Sequence, residues 1–130
     1  MTRIITISTG NLKLEAELNE TFTADAVWNT LPFEAPVRMW GDELYFTIPE
    51  ELNLELENGQ DVVEVGNLGY WPVGNAFCVF YGPTPASTDE RPRPASPVTV
   101  FGKVVGDATE LSEVRVGVMV VVKRKESVGR

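Results

Sequence analysis

Short segments in which apolar and polar residues alternate recur along the chain, and glycine- or proline-containing turns separate them. In residues 3–9, Ile5 and Ile7 alternate with polar side chains, and residues 12–18 alternate leucine or alanine with lysine and glutamate. Successive side chains of a β-strand point to opposite faces, so this period predicts strands with one buried face. The Gly10-Asn11 turn between the two segments predicts a β-hairpin.

Further strands are predicted along the rest of the chain. The dipeptide Asn58-Gly59, which is typical of tight hairpins, separates two predicted strands at residues 52–56 and 61–65. The other predicted strands are residues 37–40, 43–48, 76–81, 98–105 and 117–122. A proline-rich segment joins 76–81 to 98–105, and the density of aromatic residues and turns on either side of it favours a binding surface there.

Two short helices are predicted. Thr23 is the expected N-cap of the first, Ala24 and Val27 follow at helical spacing, and Pro32 ends it. Residues 107–110 have the sequence of a capping box, which predicts a second helix as far as residue 114. With about eight strands and no linker, the sequence predicts one domain, residues 1–130, that is mainly β. A closed barrel is favoured because closure removes exposed strand edges.

Three segments carry a resemblance to a known family: WGDELYF at residues 40–46, GYWPVGNAFCVFYGPTP at 69–85 and PASPVTVFGKVVGD at 94–107. They resemble a small prokaryotic cyclophilin-like family of unknown function, over nearly the whole chain. The segment VFGKVV, residues 100–105, is also similar to a segment of true cyclophilins. The resemblance implies a closed eight-stranded β-barrel capped by two short helices.

The resemblance also has a departure. Cyclophilins that isomerise the X–Pro bond use an arginine in a Phe-His-Arg strand after the first helix, whereas the comparable strand here is ELYFTI, residues 43–48. Arg38, before the Gly41-Asp42 turn, is the nearest candidate, and it does not align with that arginine without a gap. Prolyl isomerase activity is therefore expected to be absent or weak. If the activity is present, Arg38 is the candidate catalytic residue.

Composition excludes several classes of function. The chain has no histidine, so imidazole bases and histidine-ligated metals are excluded. A formal net charge of −8 opposes binding to nucleic acid. There is one cysteine, Cys78, and neither a long apolar run nor a signal-peptide pattern. We therefore expect a cytoplasmic protein with no membrane partner, no metal and no cofactor.

The aromatic side chains are the candidate ligand-binding residues. They are Trp40, Tyr45, Tyr70, Trp71, Phe80 and Tyr81. Core packing is the competing interpretation, because aromatic side chains dominate small cores. The adjacent carboxylates Asp42 and Glu43 are expected to serve turn formation and solubility, and Cys78 is expected to be a buried, unreactive thiol.

Three functions are compatible with these features. A non-catalytic module that binds a peptide or a small apolar molecule is favoured, because an apolar aromatic surface lacks the charges that catalysis needs. A divergent prolyl isomerase is the second. A homo-oligomeric interaction protein, such as a homodimer, is the third.

Overall fold

Nine strands form one antiparallel β-sheet that curls into a barrel in the computed structural model, which describes residues 3–125. The strands are β1 Arg3–Thr9, β2 Leu12–Leu18, β3 Phe33–Pro36, β4 Arg38–Trp40, β5 Glu43–Thr47, β6 Asn67–Trp71, β7 Ala76–Phe80, β8 Thr99–Val105 and β9 Met119–Arg124. Their order in the sheet is β3-β9-β1-β2-β8-β6-β7-β5-β4. The predicted mainly β barrel is confirmed, with nine strands instead of eight.

The barrel is nearly closed. Strands β3 and β4 lie at the two ends of the sheet order although only Val37 separates them in sequence. The ring of Phe33 on β3 packs edge-on against Phe46 on β5, with 6.0 Å between the ring centroids. Side-chain packing therefore closes the gap that backbone pairing leaves between the end strands.

The inward-facing side chains form the main core. Phe77 of β7 is at its centre, stacked on Phe46 at 4.8 Å and edge-to-face with Phe101 at 5.1 Å. Ile5 and Ile7 of the predicted β1–β2 hairpin are also buried here, which confirms that hairpin. Aromatic pairs in such geometries add about 0.5–1.5 kcal/mol each beyond the area they bury.

The helix α1, Phe22–Thr30, packs against the barrel core through Ala24 and Val27. Its N-cap is Thr21, whose hydroxyl accepts from the N–H of Ala24 at 3.0 Å, so the prediction of Thr23 as the cap was wrong by two residues. Thr23 lies in the first turn of the helix, where its polar groups have a different acceptor. The carboxylate of Glu57 takes hydrogen bonds from the Thr23 N–H and hydroxyl at 2.7 and 2.6 Å. Burial raises the pKa of Glu57, but these hydrogen bonds outweigh it, and the pKa is lowered overall.

The second predicted helix is a 3-10 helix, Ala108–Glu113. Asp107 caps it by accepting from the N–H of Thr109 at 3.0 Å, which confirms the capping role expected of the Asp107 side chain. A single 3-10 turn, Pro72–Gly74, connects β6 to β7. No helix within residues 3–125 is long and apolar enough to cross a membrane.

The predicted strands 52–56 and 61–65 were wrong. This part of the chain is irregular apart from one bridge between Gln60 and Val98. Its backbone N–H groups are partly satisfied by side chains instead of a neighbouring strand: Leu52 donates to Asn75, and Glu57 donates to the hydroxyl of Thr99. Since every buried N–H needs a partner, these side chains replace the ladder that the alternating pattern implied.

Two observed strands were not predicted. β6 contains Gly69, and glycine is depleted in strands. Packing favours the glycine, since a Cβ there would lie 3.0 Å from side-chain atoms of both Phe80 and Val98. β3 is only four residues long and ends in Pro36, which a terminal strand of the sheet tolerates.

One buried asparagine holds the segment that follows β5 onto the barrel. Asn75 is 5% exposed and has a left-handed backbone with φ 48°. Its Nδ2 donates to the carbonyls of Ile48 and Glu50, each at 3.0 Å. Its Oδ1 accepts from the N–H of Leu52 at 3.2 Å and from the hydroxyl of Tyr70 at 2.7 Å. A single amide therefore satisfies four polar groups.

Replacing Asn75 by glycine tests this role. Asn75→Gly keeps the left-handed backbone but leaves buried polar groups without partners, so we expect the free energy of unfolding to fall by about 3 kcal/mol. Asn58→Gly is the matched control, because Asn58 is exposed and has a similar φ of 49°. Denaturant unfolding of both variants measures the difference, and equal small effects would contradict the role of the amide.

Candidate functional site

The outer face of β7 is as deeply buried as its inner face. Cys78 and Phe80 point away from the barrel interior, and they form a second apolar cluster with Val63, Ala76 and Val98. The alternation of side chains along β7 therefore predicts the two faces correctly: Phe77 and Val79 face the barrel core, and Cys78 and Phe80 face outward. The outer cluster exists because the segment between β7 and β8 folds back over the sheet.

That proline-rich segment, residues 81–98, is fixed to the barrel by hydrogen bonds at its far end. Val98 and Gln60 exchange backbone hydrogen bonds of 2.8 and 3.0 Å. The indole N–H of Trp71 donates to the hydroxyl of Ser96 at 2.6 Å. Within the segment, the hydroxyl of Thr84 bonds to the carbonyl of Arg93. The loop is consequently an ordered wall over the sheet.

A pocket of about 170 Å³ lies between this wall and the sheet. The sheet contributes three aromatic side chains and one carboxyl, and the loop contributes apolar side chains. The lining residues are Trp40, Glu43, Tyr45, Trp71, Pro94, Ala95 and Val98. Strand register explains the grouping, because Trp40 pairs with Glu43 across β4 and β5 and Tyr45 lies two residues further along the same face. We call this the outer-face pocket.

Glu43 is the polar group of the outer-face pocket. It is 6% exposed, and among residues 3–125 its Oε1 atom has no hydrogen-bond partner. Burial raises its pKa from 4.5 to about 7, and the neighbouring thiol of Cys78 opposes this shift only in part. The expectation that Glu43 serves solubility was therefore wrong, because the returning loop covers the residue.

Cys78 lies next to Glu43 on the paired strand β7, and it is fully covered. Burial raises the pKa of the Cys78 thiol well above its usual value, and the Glu43 carboxyl raises it further. The thiol is therefore protonated at neutral pH and serves as a weak donor. Its prediction as a buried, small apolar residue is confirmed.

The six candidate ligand-binding residues separate into two groups. Trp40, Tyr45 and Trp71 line the outer-face pocket. The structure does not bring the other three to it: Tyr70 and Tyr81 pack in the barrel core, and Phe80 lies in the outer cluster. Glu43 was missed as a site residue. The signal that would have found it is its spacing of two from Tyr45, which places both side chains on one face.

Arg38, the candidate catalytic residue, is exposed on β4. Its register partner is Tyr45, so its side chain lies on the same face of the sheet as the outer-face pocket. Arg38 is outside the pocket lining.

Two larger depressions are less suited to a specific ligand. One, of about 780 Å³, lies between the β1–β2 turn and the 3-10 helix Ala108–Glu113. The other, of about 400 Å³, lies beside Glu57 and Asn58. Neither lining includes an aromatic side chain. Within residues 3–125, no three Cys, Asp or Glu side chains are grouped as metal ligands.

Comparisons with known proteins agree with this architecture. The model of the cyclophilin-like family matches residues 3–123, so the chain belongs to the cyclophilin-like family. The solution structure of a hypothetical protein from Archaeoglobus fulgidus is similar, with 39% sequence identity, coverage of 95% of both chains and a TM-score of 0.81. No curated protein matches the chain significantly.

The raised pKa of Glu43 predicts an unusual dependence of stability on pH. Since the folded protein binds this proton more tightly than the unfolded chain, its contribution to stability is lost as the pH rises from 4.5 to about 7. A tenfold change in proton binding is worth about 1.4 kcal/mol, so the loss is on the order of 3 kcal/mol.

Glu43→Gln should remove this loss and should be more stable than the wild type above neutral pH. Urea unfolding across that pH range measures it. Glu34→Gln, which removes a charge from an exposed position on β3, is the control for net charge. Parallel stability curves for Glu43→Gln and the wild type would contradict the assignment.

Proposed function

We propose that the protein is a non-catalytic binding module whose outer-face pocket holds a small apolar group, supplied by a small molecule or by a peptide side chain. The observation that carries the proposal is the enclosure of one pocket by Trp40, Tyr45 and Trp71 together with an ordered loop. Apolar and aromatic walls with few polar groups are typical of ligand sites.

The size of the pocket limits the ligand. Pockets that enclose a drug-sized molecule have volumes of roughly 300–1,000 Å³. At about 170 Å³, the outer-face pocket accommodates one side chain or one small functional group. A larger ligand would therefore insert a single group there and leave the rest on the surface.

The wall of the pocket is largely formed before any ligand arrives. The hydrogen bond from Trp71 to Ser96 joins the sheet side of the pocket to its loop side. A Cβ on Gly74 would lie 2.9 Å from the Trp71 ring, so the indole also rests on the 3-10 turn. Because the side chain is already ordered, little conformational entropy remains to be lost on binding.

The chemistry of the lining supports binding without catalysis. Cys78 is protonated and lies outside the lining, so it does not serve as a nucleophile. The lining has no lysine or arginine to stabilise a developing negative charge. Glu43 is the only carboxyl of the lining, and a single carboxyl among apolar and aromatic walls lacks the partner groups of a catalytic site.

Nuclear magnetic resonance with small apolar fragments tests the proposal. The chain has three tryptophans, and two of them, Trp40 and Trp71, line the pocket. We expect their indole N–H signals to shift in a saturable way on titration. The third, Trp28, is an internal control because it lies outside the lining, where the guanidinium groups of Arg3 and Arg124 are 5.6 and 4.7 Å from its ring centroid.

Ala95→Trp is designed to fill the pocket from the loop side and should abolish the shifts while the fold is retained. Equal shifts of all three indoles would indicate non-specific binding and contradict a defined site.

A divergent prolyl isomerase is the second candidate, and the position of Arg38 on the face of the outer-face pocket favours it. A guanidinium near the proline nitrogen would weaken amide conjugation and lower a rotation barrier of about 18–20 kcal/mol. The exposure of Arg38 argues against this, since water screens its charge.

A protease-coupled assay with an X–Pro peptide separates the two candidates. For a binding module, we expect the rate of isomerisation to equal the uncatalysed rate. Activity that Arg38→Ala removes and that Arg115→Ala, at another exposed arginine, retains would establish the isomerase instead.

A further inference from the structure

The buried carboxyl of Glu43 is unusual because no residue within 3–125 supplies a positive charge to pair with it. Its Oε1 is inaccessible to solvent and has no hydrogen-bond partner. No ion pair involving Glu43 occurs among the described residues. Burying an unpaired polar group is unfavourable, so such a group in a pocket indicates a missing partner.

The charged and titratable groups around Glu43 do not supply that partner. On β7, Cys78 is a neutral thiol, and its weak hydrogen bond to the carboxyl lowers the pKa of Glu43 only in part and supplies no charge. On β4, Arg38 is exposed and outside the lining. On the loop, the Nε of Arg93 is itself buried without a hydrogen-bond partner, but Arg93 forms no ion pair with Glu43 and lies outside the lining. On β5 itself, the only other titratable group in the lining is the phenol of Tyr45.

The aromatic side chains of the lining favour a cation, as the carboxylate of Glu43 does. The faces of tryptophan and tyrosine rings carry negative potential and attract cations, tryptophan most strongly. Trp40, Tyr45 and Trp71 surround the space that Glu43 faces. A quaternary or alkylated ammonium combines a positive charge with an apolar surface, and three aromatic rings with a carboxylate match both properties.

We propose that the ligand group of the outer-face pocket is an alkylated ammonium, with Glu43 as its counter-ion and Trp40, Tyr45 and Trp71 as a cation-binding aromatic cage. This inference rests on the proposed binding function and names its ligand class. A volume of about 170 Å³ is sufficient for a trimethylammonium or a short alkylammonium group.

Binding of the cation requires the ionised form of Glu43. Because the pKa of that carboxyl is about 7 in the free protein, affinity should rise with pH and level off above it. Between about pH 8.5 and pH 5.5, the ionised fraction falls by roughly 30-fold, and the affinity should fall in proportion. The bound cation lowers the pKa of Glu43, so binding near neutral pH should release a proton.

The experiment compares choline with its neutral isostere 3,3-dimethylbutan-1-ol at about pH 8.5, with the indole signals of Trp40 and Trp71 as the readout. The two probes have the same shape and differ in charge. We expect choline to bind at least about tenfold more tightly, which corresponds to about 1.4 kcal/mol.

Glu43→Gln should lower this ratio several-fold, to the preference that the aromatic rings alone provide, and should abolish the pH dependence while the alcohol still binds. Asp42→Asn is the matched control, since Asp42 is the adjacent carboxylate and lies outside the lining. If Glu43→Gln fails to fold, Trp40→Leu serves instead, and it should weaken choline binding more than alcohol binding.

The outcomes separate the two proposals. Equal affinity for both probes overturns the ammonium assignment and leaves the binding module standing. Choline binding that Asp42→Asn impairs as much as Glu43→Gln does would indicate general charge attraction and also overturn it. If neither probe shifts Trp40 or Trp71, the ammonium assignment is wrong, and the fragment titration decides separately whether the pocket binds any ligand.

Discussion

Burial of strand β7 on both faces is the constraint from which the rest of the architecture follows. Its inner face carries Phe77, around which the aromatic core of the barrel packs. Its outer face carries Cys78 and Phe80, which are buried only because other apolar side chains cover them. The segment between β7 and β8 provides that cover, and in crossing the sheet it forms one wall of the outer-face pocket. The same segment therefore covers the outer apolar cluster and forms a wall of the pocket.

The electrostatics of the outer-face pocket are a consequence of the same cover. The register of β4 and β5 places Glu43 beside two aromatic residues on the outer face of the sheet, where it would be solvated if the loop were absent. The loop excludes water from the carboxyl without offering it a donor, and the pKa rises accordingly. The fold thus keeps a carboxyl in a desolvated environment, and strongly shifted pKa values of this kind cluster at functional sites.

Local patterns in the sequence predicted the barrel well and the site only in part. The β1–β2 hairpin was predictable because Ile5 and Ile7 alternate with polar residues beside a Gly-Asn turn. Residues 52–56 have the same alternation and form no strand. Side chains distant in sequence accept hydrogen bonds from this segment instead: Asn75 from the N–H of Leu52, and Thr99 from the N–H of Glu57, just after it. Trp40, Tyr45 and Trp71 stood out by residue type. Glu43 did not, since a carboxyl beside a Gly-Asp turn is usually solvated, and its burial depends on a loop fifty residues away.

The division of the outer-face pocket between sheet and loop has a consequence for the ligand selectivity of the proposed binding module. Trp40, Tyr45 and Trp71 belong to strands whose inner residues build the barrel, so the core fixes their backbone positions. Pro94 and Ala95 lie in the connecting segment, away from the main core. Substitutions in this loop would therefore change the chemistry of the pocket without touching the main core, much as antibodies vary recognition loops on an invariant framework.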